Sequence, residues 1–184
     1  VQTCALPILA ILVAIEEAIG THHLDLFLKS GGTRPMAEAI ARLVGYAAAA
    51  RNLSFMSGHW GRHLPGLDAE RAYGEGIEAL AAGLPVDPGL VDLALAATNA
   101  AVRREEGLRF HIRAAYRRGL PEPKLAEALS LVIWPVGVNH FLDACGAWHD
   151  LMATGAVAPS PAFRVWAETP SQGGFDDAAR RGGG

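Results

Sequence analysis

Apolar residues recur at helical spacing along most of this chain, and glycine, proline and polar clusters interrupt them at the expected ends of helices. The segment from about Leu9 to Lys29 reads as a first helix, stopped by Ser30-Gly31-Gly32-Thr33. Pro35 opens a second, to about Ala50, in which Met36, Ile40, Leu43 and Ala47 share one buried face. A third follows from about Leu53 to His63, before Pro65-Gly66. Asp68 caps a fourth through Ala82, which Gly83-Leu84-Pro85 closes. Asp87-Pro88 then starts a helix with a stripe at Leu90, Leu93, Ala94 and Ala97. A turn near Val102-Arg103 separates it from a helix over Arg104 to Arg118, ended by Gly119. The next runs from about Glu122 to Trp134, where Pro135 ends or kinks it, and Gly137 begins a long helix reaching Thr154. After Ala158-Pro159-Ser160-Pro161 the chain turns polar, and residues 157–184 are expected to be a largely disordered tail on which Phe163, Val165 and Trp166 can dock.

One helical hairpin recurs within this pattern. Glu16-Glu17, His22 and Ala37-Glu38-Ala39 return 89 residues later as Glu105-Glu106, His111 and Ala126-Glu127-Ala128; Asn52 then answers Asn139, and Gly58 answers Gly146. A charged pair, a histidine and a glutamate near a helix start keep their spacing. The expected architecture is therefore an all-α bundle of two related halves, a degenerate first repeat over 9–85 and a second over 86–156.

At 184 residues the chain is long enough for a core, and 51% hydrophobic against 19% charged residues makes it globular rather than disordered. Abundant alanine and sparse β-branched residues favour helices. A net charge of −3 without a long basic block gives no reason to expect nucleic acid. The first eight residues, Val1 to Ile8, resemble the translation of a sequencing-library adapter, which would place the native start at or near Leu9. The apolar run from Cys4 to Ile15 has no basic flank or cleavage site, and twelve residues cannot span a bilayer, so neither a signal peptide nor a membrane partner is expected. With Cys4 set aside, Cys145 stands alone in an apolar helical stretch, where it reads as a small buried hydrophobe. A lone thiol fits a reducing cytoplasm.

The candidate chemistry gathers in Arg104-Glu-Glu-Gly-Leu-Arg-Phe-His-Ile-Arg-Ala-Ala-Tyr-Arg-Arg-Gly119. Gly107, Leu108, Ala114 and Ala115 surround His111 on one helical face, and mostly small neighbours leave space before its ring. The competing reading is a histidine packed under a neighbouring helix. Glu105, Arg109, Arg113 and Arg117 form a ladder on another face, either a solvated stripe or, at Arg109 and Arg113, a clamp for a carboxylate. His59 and His63 have the spacing of a metal pair, but no third ligand is apparent and no metal is expected.

The same segment, with Pro121-Glu-Pro-Lys-Leu-Ala-Glu-Ala-Leu129 and Gly137-Val138 after it, resembles the signature of the carboxymuconolactone decarboxylase family. The resemblance runs from about Leu90 to Leu151 and more weakly, through the repeat, from Glu16 to Trp60. It implies an alkylhydroperoxidase D-like fold, assembly into trimers or hexamers, and either of two chemistries. Thiol peroxidase activity needs Cys-x-x-Cys, but those places hold Arg104 and Gly107, so no thiolate or disulfide can form there. The decarboxylase pattern commonly has a glutamate where Gly107 stands and arginines on either side of the histidine. Arg109 and Arg113 fit; Gly107 departs.

What the resemblance implies is a cofactor-free carbon–carbon lyase acting on a small carboxylated lactone or related acid in aromatic catabolism. His111 is then the proton donor, Arg109 and Arg113 bind the carboxylate, and Glu106 or Asp92 holds the imidazole, the competing reading of Asp92 being a capping or solvated residue. Asn139 and His140 line the same pocket if the last helix folds back onto it. Neither metal nor organic cofactor is called for, because the substrate's conjugated lactone can delocalise the electrons left by carbon dioxide. The alternative is a non-catalytic oligomeric scaffold. Four tryptophans, Trp60, Trp134, Trp148 and Trp166, point to homo-oligomerisation in either case.

Overall fold

The computed structural model describes residues 2–17 and 20–169. Those residues build an all-α bundle: α1 (Gln2–Ala14), α2 (Gly20–Lys29), α3 (Arg34–Ala47), α4 (Leu53–Gly58), α5 (Ala69–Ala81), α6 (Pro88–Ala101), α7 (Glu105–Arg117), α8 (Glu122–Ser130), α9 (Ile133–Val136), α10 (Val138–Ala153) and α11 (Pro161–Glu168). Short 3-10 turns at Ala48–Asn52 and Trp60–Arg62 flank α4.

Three helices begin where local side chains start them. Thr33 accepts from the Met36 amide at 3.3 Å, Asp68 from Arg71 at 2.9 Å, and Asp87 from Gly89 at 2.7 Å. Each satisfies an amide that the first turn leaves without a partner. The expected helix over 9–29 is instead two helices. The Glu17 amide reaches back to the Leu12 carbonyl and the Glu16 amide to Val13, with Glu16 in the left-handed region at φ 58°. This is a Schellman closure, made without the glycine that usually announces it. α6 ends the same way at Arg103, φ 53°, through the Arg104 and Arg103 amides on the Asn99 and Ala100 carbonyls.

α6 is the central element. It packs against α1, α7, α8 and α10. Its stripe therefore widens to nearly the whole circumference, with Val91, Asp92, Thr98 and Asn99 buried along with Leu93, Ala94 and Ala97. One apolar cluster joins α1, α2, α3 and α5 to one side of α6, through Leu6, Phe27, Ile40, Leu43, Tyr73, Ile77 and Val91. A second joins Ile11 of α1 and the other side of α6 to α7, α8 and α10, through Leu93, Ile112, Leu129, Trp148 and Leu151. Leu6, inside the adapter-like segment, is thus part of the first core.

Two boundaries differ from expectation downstream. α8 stops at Ser130, before Pro135, which lies inside α9. Residues 161–168 of the expected tail form α11, because Phe163 and Trp166 pack on Trp148 at ring separations of 5.2 and 5.3 Å. Val165 remains exposed, and 170–184 lie outside the described residues. Among the described residues, no helix is long and apolar enough to cross a membrane.

Candidate functional site

His111 sits on the inner face of α7, with no exposed surface. Its Nδ1 lies 2.9 Å from Asp92 Oδ1 on α6, and its Nε2 3.0 Å from the Tyr73 hydroxyl on α5. A carboxylate can only accept, so the neutral ring donates from Nδ1 to Asp92 and receives the Tyr73 O–H at Nε2. The second Asp92 oxygen accepts from Arg118 Nε at 2.6 Å, and Arg118 also reaches Glu78 at 3.2 Å. A line of polar groups thus runs from Tyr73 through His111 and Asp92 to the surface at Arg118. Asp92 does orient the imidazole.

The electrostatics of this line hold it neutral at the histidine. Burial pushes the His111 pKa down, the Asp92 hydrogen bond and charge pull it back, and Arg117 lowers it again. We place the balance below the ordinary histidine value because Arg118 already neutralises much of Asp92. Burial, reinforced by Tyr46 and Asp92, pushes the Tyr73 hydroxyl well above the usual phenol value. A resting Tyr73 is therefore a hydrogen-bond donor, not a phenolate. Both nitrogens of His111 are spent, and nothing reaches the ring from solvent.

The other expected site residues do not gather around His111. Glu106 accepts from the Ser54 amide at 2.6 Å, which ties α7 to the start of α4, so it does not hold the imidazole. Arg113 pairs with Glu70 on α5 at 2.7 Å. Arg109 is held by Glu105 at 2.7 Å and Asp150 at 2.9 Å, and these partners raise its pKa against a desolvation that lowers it. Asn139 is exposed at the start of α10.

Arg109 and His140 share a different space, an open cavity of about 450 Å³ between α6, α7 and α10 that His111 does not line. The rotation of α7 explains the separation. Residues two apart on a helix point about 200° away from each other, so Arg109 and His111 cannot face one cavity. Arg103, paired with Asp143 at 3.2 Å, Glu105, Asp150 and Asn99 complete the polar lining. His140 Nδ1 is 3.4 Å from the Ala100 carbonyl.

Asn99 explains the departure at Gly107. A methyl group on Gly107 would lie 2.6 Å from Asn99 Cγ and 2.8 Å from Ala50 Cβ. The volume that a longer side chain at 107 would need is filled from α6 by an amide. Asn99 donates to the Leu95 carbonyl at 2.8 Å, while its Oδ1 is buried with no partner among the described residues.

Sequence reasoning missed Tyr73, Arg118 and Asn99, and also Glu122. That carboxylate is buried and accepts from Tyr116 at 2.7 Å, the Ser160 amide at 3.0 Å and the Ser160 hydroxyl, while Trp148 donates to Tyr116 at 3.0 Å. No local pattern announces these four: the partners of Tyr73, Arg118 and Glu122 come from other elements, and Asn99, bonded within α6, matters through the space it fills beside Gly107 on α7. His22 is exposed, and His59 and His63 are exposed with no cluster of three metal-ligating side chains among the described residues. Cys145 is half-buried, and burial pushes its thiol up, away from reactivity. Only Trp60 and Trp134 of the four tryptophans are exposed. Compared with protein-family models, curated proteins and solved structures, the chain matches none.

Proposed function

We propose that the chain is a carboxymuconolactone decarboxylase-like, cofactor-free carbon–carbon lyase for a small carboxylated lactone or related acid of aromatic catabolism, cytoplasmic, with its substrate beside His140 rather than His111. The observation that supports it is a guanidinium and an imidazole, Arg109 and His140, in one open cavity. A carboxylate binder and a proton donor are what such a reaction asks of a protein. Nδ1 of His140 faces the Ala100 carbonyl, which leaves Nε2 as the nitrogen for a substrate. The incoming carboxylate takes the place of Asp150 on Arg109 Nη2, while Glu105 keeps Nε. The role first given to His111 becomes one of fixing α5, α6 and α7 together. Carbon dioxide release from carboxylated lactones tests this: His140→Ala should lower the rate about 10²–10⁴-fold. Equal activity in that variant, or no release by the parent protein, refutes it.

A second reading is a non-catalytic oligomeric scaffold. The ion pairs favour it, because Arg109 and Arg113 are already neutralised and the cavity carries Glu105, Asp143 and Asp150 against two arginines. Either reading carries homo-oligomerisation, trimeric or hexameric. Trp134, Val138 and Leu142, all more than half exposed and spaced by four residues along α9 and α10, offer the surface for it.

A further inference from the structure

Between Glu38 and Asp68 the sequence has no acidic residue, yet Arg42, Arg51, His59, Arg62 and His63 fall within it. In a chain of net charge −3 this stretch contributes only basic side chains. Its second half forms a surface patch. α4 and the turn after it expose Phe55 (57%), Trp60 (43%) and Leu64 (51%). His59 joins them, stacked on Phe55 at 5.2 Å and edge-on to Trp60 at 5.5 Å.

The arginines that flank these residues in the chain, Arg51 just before α4 and Arg62 just after Trp60, have no ion-pair partner among the described residues. Both are exposed. On α5 and α7, which pack against α4, four of the five carboxylates are paired with arginines, and the fifth, Glu106, sits at the start of α4 on a backbone amide. Glu106 holds the Ser54 amide and Glu70 pairs with Arg113. Glu75 pairs with Arg71, Glu78 with Arg118, and Glu105 with Arg109. The stripe at Trp134, Val138 and Leu142 differs in this respect, since its neighbour Arg103 is paired with Asp143.

We propose that the patch of Phe55, Trp60, Leu64, Arg51 and Arg62 is a peripheral docking surface for an anionic lipid bilayer. Aromatic rings with an apolar body and a polar edge partition to the headgroup boundary, and arginines beside them meet lipid phosphates. Neither contact needs a membrane span. The surface lies apart from the cavity at His140, so it stands whether or not that cavity is catalytic.

The test is co-sedimentation of the full chain with phosphatidylserine–phosphatidylcholine vesicles, against vesicles of phosphatidylcholine alone. Binding is expected only to the anionic vesicles and should weaken as salt is raised. Arg51→Gln and Arg62→Gln should each weaken it about fivefold. Phe55→Ser with Trp60→Ser should weaken it about 10–100-fold at unchanged circular dichroism, since both side chains are exposed. Absence of binding, equal binding to neutral vesicles, or variants that bind like the parent overturns the proposal. So does a change in molar mass by light scattering in the Phe55/Trp60 variant, which would make the patch a contact between copies of this chain.

Discussion

Replacing Gly107 by alanine sets two effects against each other, and the structure says which wins. Gly107 lies inside α7, where Gly→Ala ordinarily stabilises by about 0.8–1 kcal/mol. Here the new methyl group meets Asn99 Cγ at 2.6 Å and Ala50 Cβ at 2.8 Å, well inside van der Waals contact. Ala50 has no rotamer to change, and Asn99 is fully buried with its amide on the Leu95 carbonyl, so neither gives way freely. Overpacking of this kind costs about 1–3 kcal/mol, and with two blocked neighbours we take the upper half of that range. The net expectation is a loss of about 1–2 kcal/mol, or a fall in Tm of about 2–8 °C for a domain of this size. Gly45→Ala in α3 is the control, because a methyl group there meets nothing within 4 Å. It should stabilise by about 0.5–1 kcal/mol. Urea titration of the parent, Gly45→Ala, Gly107→Ala, Asn99→Ala and Asn99→Ala/Gly107→Ala measures the terms, and adding Gly107→Ala should cost less in the Asn99→Ala background than in the parent. If Gly107→Ala is as stabilising as Gly45→Ala, the assignment of Asn99 as the occupant of that volume is wrong.

Folded His111 holds its proton less readily than the unfolded chain does, so its contribution is fully present above the ordinary histidine value near 6.5 and is lost as pH falls from there toward the lower folded value. Stability between pH 7 and 5 should fall by up to about 1.4 kcal/mol per pH unit from this group, and His111→Gln should flatten that slope; an unchanged slope refutes it. Glu122→Ala strands the Tyr116 hydroxyl and the Ser160 amide, so it should cost about 2–4 kcal/mol and expose α11 to limited proteolysis; a neutral result would remove Glu122 from the support of α11. Trp134→Ser should reduce the molar mass found by light scattering if the α9–α10 stripe joins copies of the chain, and an unchanged oligomer places the contact elsewhere.

The order and type of the helices were readable because their signals are local. Thr33, Asp68 and Asp87 each act on an amide two or three residues away, and Gly119 closes α7 within its own last turn at φ 69°. The break between α1 and α2 escaped notice because Glu16 takes a left-handed conformation that nothing in its side chain announces, and α11 because its order depends on Trp148. At the site, sequence named Asp92 on the preceding helix as one of two carboxylates that could hold His111, beside a plain capping or solvated role, and the structure selects Asp92. What tertiary structure decided was the direction α7 faces. Tyr73 and Arg118 meet this pair from 38 and 26 residues away in sequence, and packing of α7 against α5 and α6 turns His111 inward while Arg109 turns toward α10. Helical spacing states which residues share a face. Which face is buried, and which opens on a cavity, is set by the burial of apolar surface between helices distant in sequence, a sum over the whole core that no short segment contains.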